Sequence, residues 1–137
     1  VFISTFSSYK GWKDMKYTLK IKDSRVFRYV FRKGSYFKGK YVVVHTCLTK
    51  FYEQSENDMN FFAVCVSKKN GNSVQRNRLK RLAREIYRNE EENLKKGHNY
   101  IIMYKKDIKG ETINFKDIKE DIINCFKELD LYEKNDL

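Results

Sequence analysis

The chain contains no proline, only six glycines and three cysteines in 137 residues. No Pro-rich, Ser-rich or repeated stretch divides it, so a single domain is expected, large enough to bury roughly two-thirds of the surface its unfolded form exposes. Cys47, Cys65 and Cys125 are odd in number, far apart and set among apolar residues. That pattern argues against a disulfide framework and a zinc site, and points to a reducing, cytoplasmic compartment. His45 and His98 have no neighbours at ligand spacing, and no H-E-x-x-H, G-x-S-x-G or phosphate-loop pattern occurs. No catalytic side chain and no metal site therefore declare themselves. The longest apolar run, Phe61 to Val66, is far short of the roughly 20 residues that cross a bilayer. Residues 1–14 lack the charged start, apolar centre and small-residue cleavage site of a signal peptide.

Negative charge is also scarce where it matters. From Val66 to Arg88 the chain carries eight cations, Lys68, Lys69, Arg76, Arg78, Lys80, Arg81, Arg84 and Arg88, against the single acid Glu85. Most of the net charge of +11 thus lies in one strand-exit loop and the helix after it. A field so concentrated calls for a polyanion, most commonly a nucleic-acid backbone. Five of the eight cations are guanidiniums suited to bidentate phosphate contact, and Gly71 opens the loop before a helix N-terminus. A solvated charged face is the bland alternative, but it ordinarily carries acids among its bases. Ten Tyr, ten Phe and one Trp leave enough rings for base stacking, although most rings belong in a core. A metal-dependent protein nuclease needs clustered carboxylates, whereas the consecutive Glu90, Glu91 and Glu92 point to different sides of a helix.

Periodicity gives a mixed α/β order. Met15 opens a second, basic start, MKYTLKIKD, so residues 1–14 are expected to be an extension without clear structure and residues 15–137 the functional domain. Asp23 or Ser24 caps a short helix with Phe27, Val30 and Phe31 on one face, and Gly34 stands where a left-handed cap belongs. Tyr41 to Phe51 and Phe61 to Ser67 read as an antiparallel strand pair joined by a turn. The acids of that turn, Glu53, Glu56 and Asp58, place it away from phosphate. A long helix is predicted from Ser73 to Lys95, capped by Asn72 or Ser73 and ended by Gly97, with Leu79, Leu82, Ala83, Ile86 and Tyr87 facing the sheet. Tyr100 to Tyr104 reads as a buried strand. Asn114 caps a closing helix whose stripe is Phe115, Ile118, Ile122, Phe126 and Leu129. The expected architecture is one layer of helices on a sheet. At 100° per residue, Arg76, Lys80 and Arg84 line one flank of the basic helix, Asn77, Arg81 and Arg88 face outward, and Arg78 falls beside Glu85.

The run Val66, Ser67, Lys68, Lys69, Gly71, Ser73, Val74, Arg76, Asn77, Arg78, Lys80, Arg81, Arg84, Glu85 resembles the hallmark VSKK-x-G-x-[AS]-V-x-RN-R-x-KR-x-x-RE of the bacterial ribonuclease P protein subunit. Phe27, Val30, Phe31 and Gly34 are similar to the family's F-x-x-V-F-x-x-G element, as are Gly97, Tyr100, Ile101 and Ile102 to its following strand. The resemblance covers about Lys16 to Leu131. It implies a two-layer α/β fold of the α+β type. In that fold a four-stranded sheet carries helices, and a left-handed strand–helix–strand crossover holds the basic RNR helix, where the general rule favours the right-handed form. It further implies that catalysis resides in a partner RNA. With Mg²⁺ bound mainly by itself, that RNA removes the 5′ leader of precursor tRNA, while the protein holds leader and RNA and needs no protein oligomer. The implied RNA-binding residues are Lys68, Lys69, Arg76, Asn77, Arg78, Lys80, Arg81, Arg84 and Arg88. Phe27 and Phe31, which spacing alone leaves open between core and stacking platform, would line the leader cleft. His45 stands on the strand flooring that cleft, with a packing or solvent-facing role as its alternative. In this scheme the flank of Arg76, Lys80 and Arg84 borders the cleft, and Asn77, Arg81 and Arg88 meet structured RNA.

Overall fold

The computed structural model describes residues 2–3, 15–49 and 59–134. Two short strands, β1 (Phe2–Ile3) and β2 (Thr18–Lys20), precede helix α1 (Ser24–Lys33). Strands β3 (Ser35–Lys38), β4 (Val42–Leu48) and β5 (Asn60–Val66) follow, then helix α2 (Ser73–Glu90), strand β6 (His98–Tyr104) and helix α3 (Phe115–Glu128). The central order is β5-β6-β4-β3. The number of these strands is the one the resemblance implied, although β3 was not read as a strand from the sequence, and β1 and β2 both add to the free edge of β5, one antiparallel and one parallel. The extension expected to be without clear structure thus contributes a two-residue strand; its other residues lie outside the described ones.

The predicted pairing of the two β-rich runs is corrected. β4 and β5 are not neighbours, because β6 lies between them, antiparallel to β4 and parallel to β5. β6 is buried through its middle, with Tyr100, Ile101 and Ile102 fully buried, which suits a strand at the centre of the sheet. The acidic turn with Glu53, Glu56 and Asp58, like Phe51, lies outside the described residues. β5, α2 and β6 form the expected parallel crossover unit.

Alternation along the strands makes two cores. Val42 and Val44, Phe62 and Val64, and Tyr100 and Ile102 face α2 and α3, together with Leu79, Ala83, Ile86, Ile118, Ile122 and Phe126. Ala63, Cys65 and Ile101 face the other way and are covered by Val26, Phe27 and Val30 of α1. The single helical layer read from the sequence is the α2–α3 layer, and α1 adds a partial cover on the opposite face. Among the described residues no helix is long and apolar enough to cross a membrane.

Two helix ends depart from expectation. Gly34 is extended (φ −82°), not left-handed; a Cβ there would stand 2.4 Å from the Thr46 carbonyl oxygen and 2.7 Å from that of Val30, so glycine permits close approach of α1 to β4. The basic helix stops at Glu90, not Lys95, and passes into a 3₁₀ turn, Glu91–Asn93. Burial of the Glu91 carboxylate sets this end. It accepts from the backbone N–H groups of Lys16 and Tyr17 and from the Thr18 hydroxyl, tying the start of the domain to the end of α2. Gly97, with φ +71°, turns the chain into β6 instead of capping the helix.

Candidate nucleic-acid interface

The start of α2 is built by local polar geometry. Ser67 and Asn70 cap the 3₁₀ turn Lys68–Asn70, and Asn72 and Gln75 form a reciprocal capping box at the helix proper. Asn70 is fully buried and donates to the carbonyls of Lys105 and Ile108, at 2.9 and 2.7 Å. The loop after β6 is thereby fastened beneath the basic turn, and Lys109 donates to the Lys69 carbonyl. Lys68 and Lys69 are exposed on this turn.

Along α2, Arg76, Lys80 and Arg84 do form one row. Lys80 has its pKa lowered, first by desolvation and then by Arg84 and Arg76, so the three cations feel one another. Continuing that row leads to Tyr87, whose hydroxyl meets that of Thr18 at 2.7 Å, and to Glu91, so the row runs along the β2 edge of the sheet. Arg84 is only 4% exposed, and Arg76 donates to the Gly71 carbonyl at 2.8 Å. Asn77 and Arg81 are exposed, as the projection required. Two members of the motif are placed differently. Arg78 does not pair with Glu85 but donates to the Gly110 carbonyl at 2.6 Å, joining α2 to the loop before α3. Glu85 is taken by Arg88, which is half-buried beside it and not fully outward.

The aromatic residues of α1 lie on the other side of the sheet. Phe27 is 6% exposed and packs with Val26, Val30 and Ile101, so it is core; it faces the sheet at the helical spacing that also buries Val30. Phe31, one turn later, is 40% exposed. Its ring meets that of His45 edge-on, with centroids 4.8 Å apart. His45 is half-buried, and desolvation lowers its pKa, which favours the neutral ring at physiological pH. Beyond it stands Tyr36 of β3, paired with His45 across the strands, 57% exposed, with ring centroids 5.6 Å apart. Sequence reasoning missed Tyr36 because β3 is four residues long and was not read as a strand. A signal was present: from Ser24 to Thr49 the chain has six Lys or Arg and no Asp or Glu. α1 and α2 cover opposite faces of the sheet, and the Arg76–Lys80–Arg84 row runs along its β2 edge.

The buried acids have structural employment. Asp121 accepts from the N–H groups of Lys40, Tyr41 and Val42 at 2.7 to 3.1 Å, holding the β3–β4 turn against α3. Glu91 is occupied as described. The described residues contain no group of three or more His, Cys, Asp or Glu placed to hold a metal ion. Cys65 and Cys125 are buried thiols with pKa values pushed up to about 12, and Cys47 is half-buried beside the Asn99 amide. None has the electropositive, exposed setting of a nucleophile.

A family model described as Ribonuclease P matches residues 15–130. The ribonuclease P protein component of Clostridium acetobutylicum is 36% identical over 119 residues, covering 85% of this chain and 95% of that protein. That of Clostridium botulinum is 35% identical over 114 residues, covering 82% and 96%. Among solved structures, the RNase P protein of Staphylococcus aureus superposes with a TM-score of 0.71 at 24% identity over 83% of this chain and 97% of that one, a likeness of fold. The RNase P protein from Thermotoga maritima gives 0.67 at 25% identity over 80% and 96%.

Proposed function

The chain belongs to the ribonuclease P protein family, and from that premise we propose that it serves a catalytic RNA in the Mg²⁺-dependent removal of the 5′ leader from precursor tRNA, in the cytoplasm. The observation that carries this reading is the division of RNA-competent chemistry between two faces. The cations of α2 and its preceding turn present phosphate-binding groups on one side, and the half-exposed Phe31, with His45 and Tyr36, presents rings on the other. In this reading Lys68, Lys69, Asn77 and Arg81 contact the catalytic RNA, with Lys80 and Arg76 beside them, while Arg78 and Arg84 shape the helix surface from within. Phe31 and His45 hold the leader, and Phe27 supports them as core.

No residue of the chain performs the hydrolysis in this scheme. The protein's work is positional: cations fix the RNA backbone without reading sequence, and rings hold unstacked leader bases. Among the described residues the buried carboxylates Glu91 and Asp121 do not fit a protein-held Mg²⁺, because they accept backbone N–H groups, and no group of three or more possible ligands is placed to hold one. Mg²⁺ belongs to the RNA partner.

Purified protein is to be mixed with a bacterial ribonuclease P RNA at low Mg²⁺ and physiological salt, and release of the 5′ leader from precursor tRNA followed. Cleavage that requires both components is the expected result. Tight RNA binding with no gain in cleavage would instead make the chain a general basic RNA-binding protein.

A further inference from the structure

The exposed rings on the α1 face do not form one continuous stack. Phe31 meets His45 at an interplanar angle of 82°, whereas Tyr36 is tilted only 32° from His45. The planes of Phe31 and Tyr36 are therefore turned steeply from each other, with the His45 ring between them as a wedge. A base lying on Phe31 cannot remain stacked, in parallel, on a neighbour lying on Tyr36.

The surroundings select the occupant. Arg28, Arg32 and Lys33 of α1 and Lys38 of β3 are exposed, and Arg28 lies one helical turn before Phe31. Lys38 lies two residues from Tyr36 and so shares its face of the sheet. The chain carries no carboxylate anywhere between Ser24 and Thr49 to oppose them. Exposed ring faces on a segment that carries Lys and Arg but no acid fit single-stranded nucleic acid, whose bases stack while its phosphates meet the cations. An apolar protein partner would leave these cations desolvated and unpaired.

We propose that Tyr36 forms a second nucleotide subsite, distinct from the Phe31 position, which takes a further leader nucleotide and requires the strand to turn and unstack at His45. The inference rests on the leader-binding reading above and deepens it. Tyr36 sits on β3, an edge strand, where its ring is free to accept a base without repacking a core. Its hydroxyl is not required for stacking, so phenylalanine should serve equally well.

The test uses the reconstituted holoenzyme and precursor tRNAs whose 5′ leaders lengthen one nucleotide at a time. Wild type, Tyr36→Ser, Tyr36→Phe and Phe31→Ala are compared by substrate affinity, with the circular dichroism melt of each protein as a folding check. For wild type, affinity should rise at two separate leader lengths. Tyr36→Ser should abolish one of the two rises and keep the other, weakening binding of long leaders by about fivefold or more. Tyr36→Phe should keep both rises. If Phe31→Ala weakens binding but Tyr36→Ser follows the wild-type curve at every length, the second subsite is overturned and the leader reading stands. If neither variant changes affinity at any length, the leader reading itself fails, and the subsite with it.

Discussion

Asp121 shows how much of this interface rests on single buried groups. One carboxylate oxygen accepts from Lys40 N–H and the other from those of Tyr41 and Val42, in a residue only 8% exposed. Alanine would strand these donors in the interior, at a cost of roughly 1.5–3 kcal/mol. Asparagine should rescue little, because its amide nitrogen would face N–H donors. Chemical denaturation of the two variants checks both statements, and a fully rescued asparagine protein would refute the account. His45 adds a pH dependence of definite sign. Burial lowers its folded pKa below the ordinary 6.5, so the unfolded chain takes up the proton at higher pH than the folded one. Its contribution to stability is complete above the ordinary imidazole value and is lost as pH falls from there through the depressed folded value. Melting temperatures should therefore fall less for His45→Phe than for wild type between neutral pH and about pH 5. Equal falls would show that His45 titrates alike in both states.

At the scale of the element, α2 is a helix whose function opposes its stability. Lys80 is held charged in a partly desolvated row with Arg76 and Arg84, and its pKa is lowered as a result. For a lysine this means that the folded state resists the proton, and the penalty is fully in force at neutral pH. Lys80→Met keeps the aliphatic stem and removes the charge. The free protein should melt at higher temperature, while its affinity for the catalytic RNA falls and the slope of log affinity against log salt decreases by about 0.7–0.9, one phosphate contact. A lower melting temperature would mean that the row is already neutralised within the protein.

The same helix shows what could be read from sequence and what could not. The stripe Leu79, Leu82, Ala83, Ile86 and Tyr87 was legible because apolar residues at 3.6-residue spacing admit one buried face; four of the five are fully buried, and Leu82, at the margin of that face, is half-buried. The outward Asn77 and Arg81 follow from the same rotation. Arg78 was misplaced because its partner is a backbone carbonyl thirty-two residues later, and no side-chain pattern encodes an acceptor that every residue possesses. The end of the helix was missed for a related reason. Glu91 stops α2 by accepting from the chain near Lys16, a contact of sequence separation 75. Local propensity sees only a continuing run of good helix formers.

For the molecule as a whole, the consequential arrangement is that of faces. Binary patterning finds that strands are buried, but β6 is inserted between β4 and β5 by a pairing that strand sequences alone leave undetermined. That insertion puts α1 on one side of the sheet and α2 and α3 on the other. The ring face and the cationic helix are then separated by the sheet itself, so two RNA segments can be held at once without competing for side chains. Phe31→Ala should weaken leader binding in the holoenzyme with no change in the salt dependence of catalytic-RNA binding. Arg81→Ala should reduce that salt dependence and leave the preference between long and short leaders intact. Because the two residues share no contacts and sit on opposite faces, their effects on precursor binding should add to within about 0.5 kcal/mol in the double variant. A larger coupling energy would mean that the two surfaces communicate, either through the sheet or through a single RNA that wraps its edge, and the separation of roles argued from the fold would have to be abandoned.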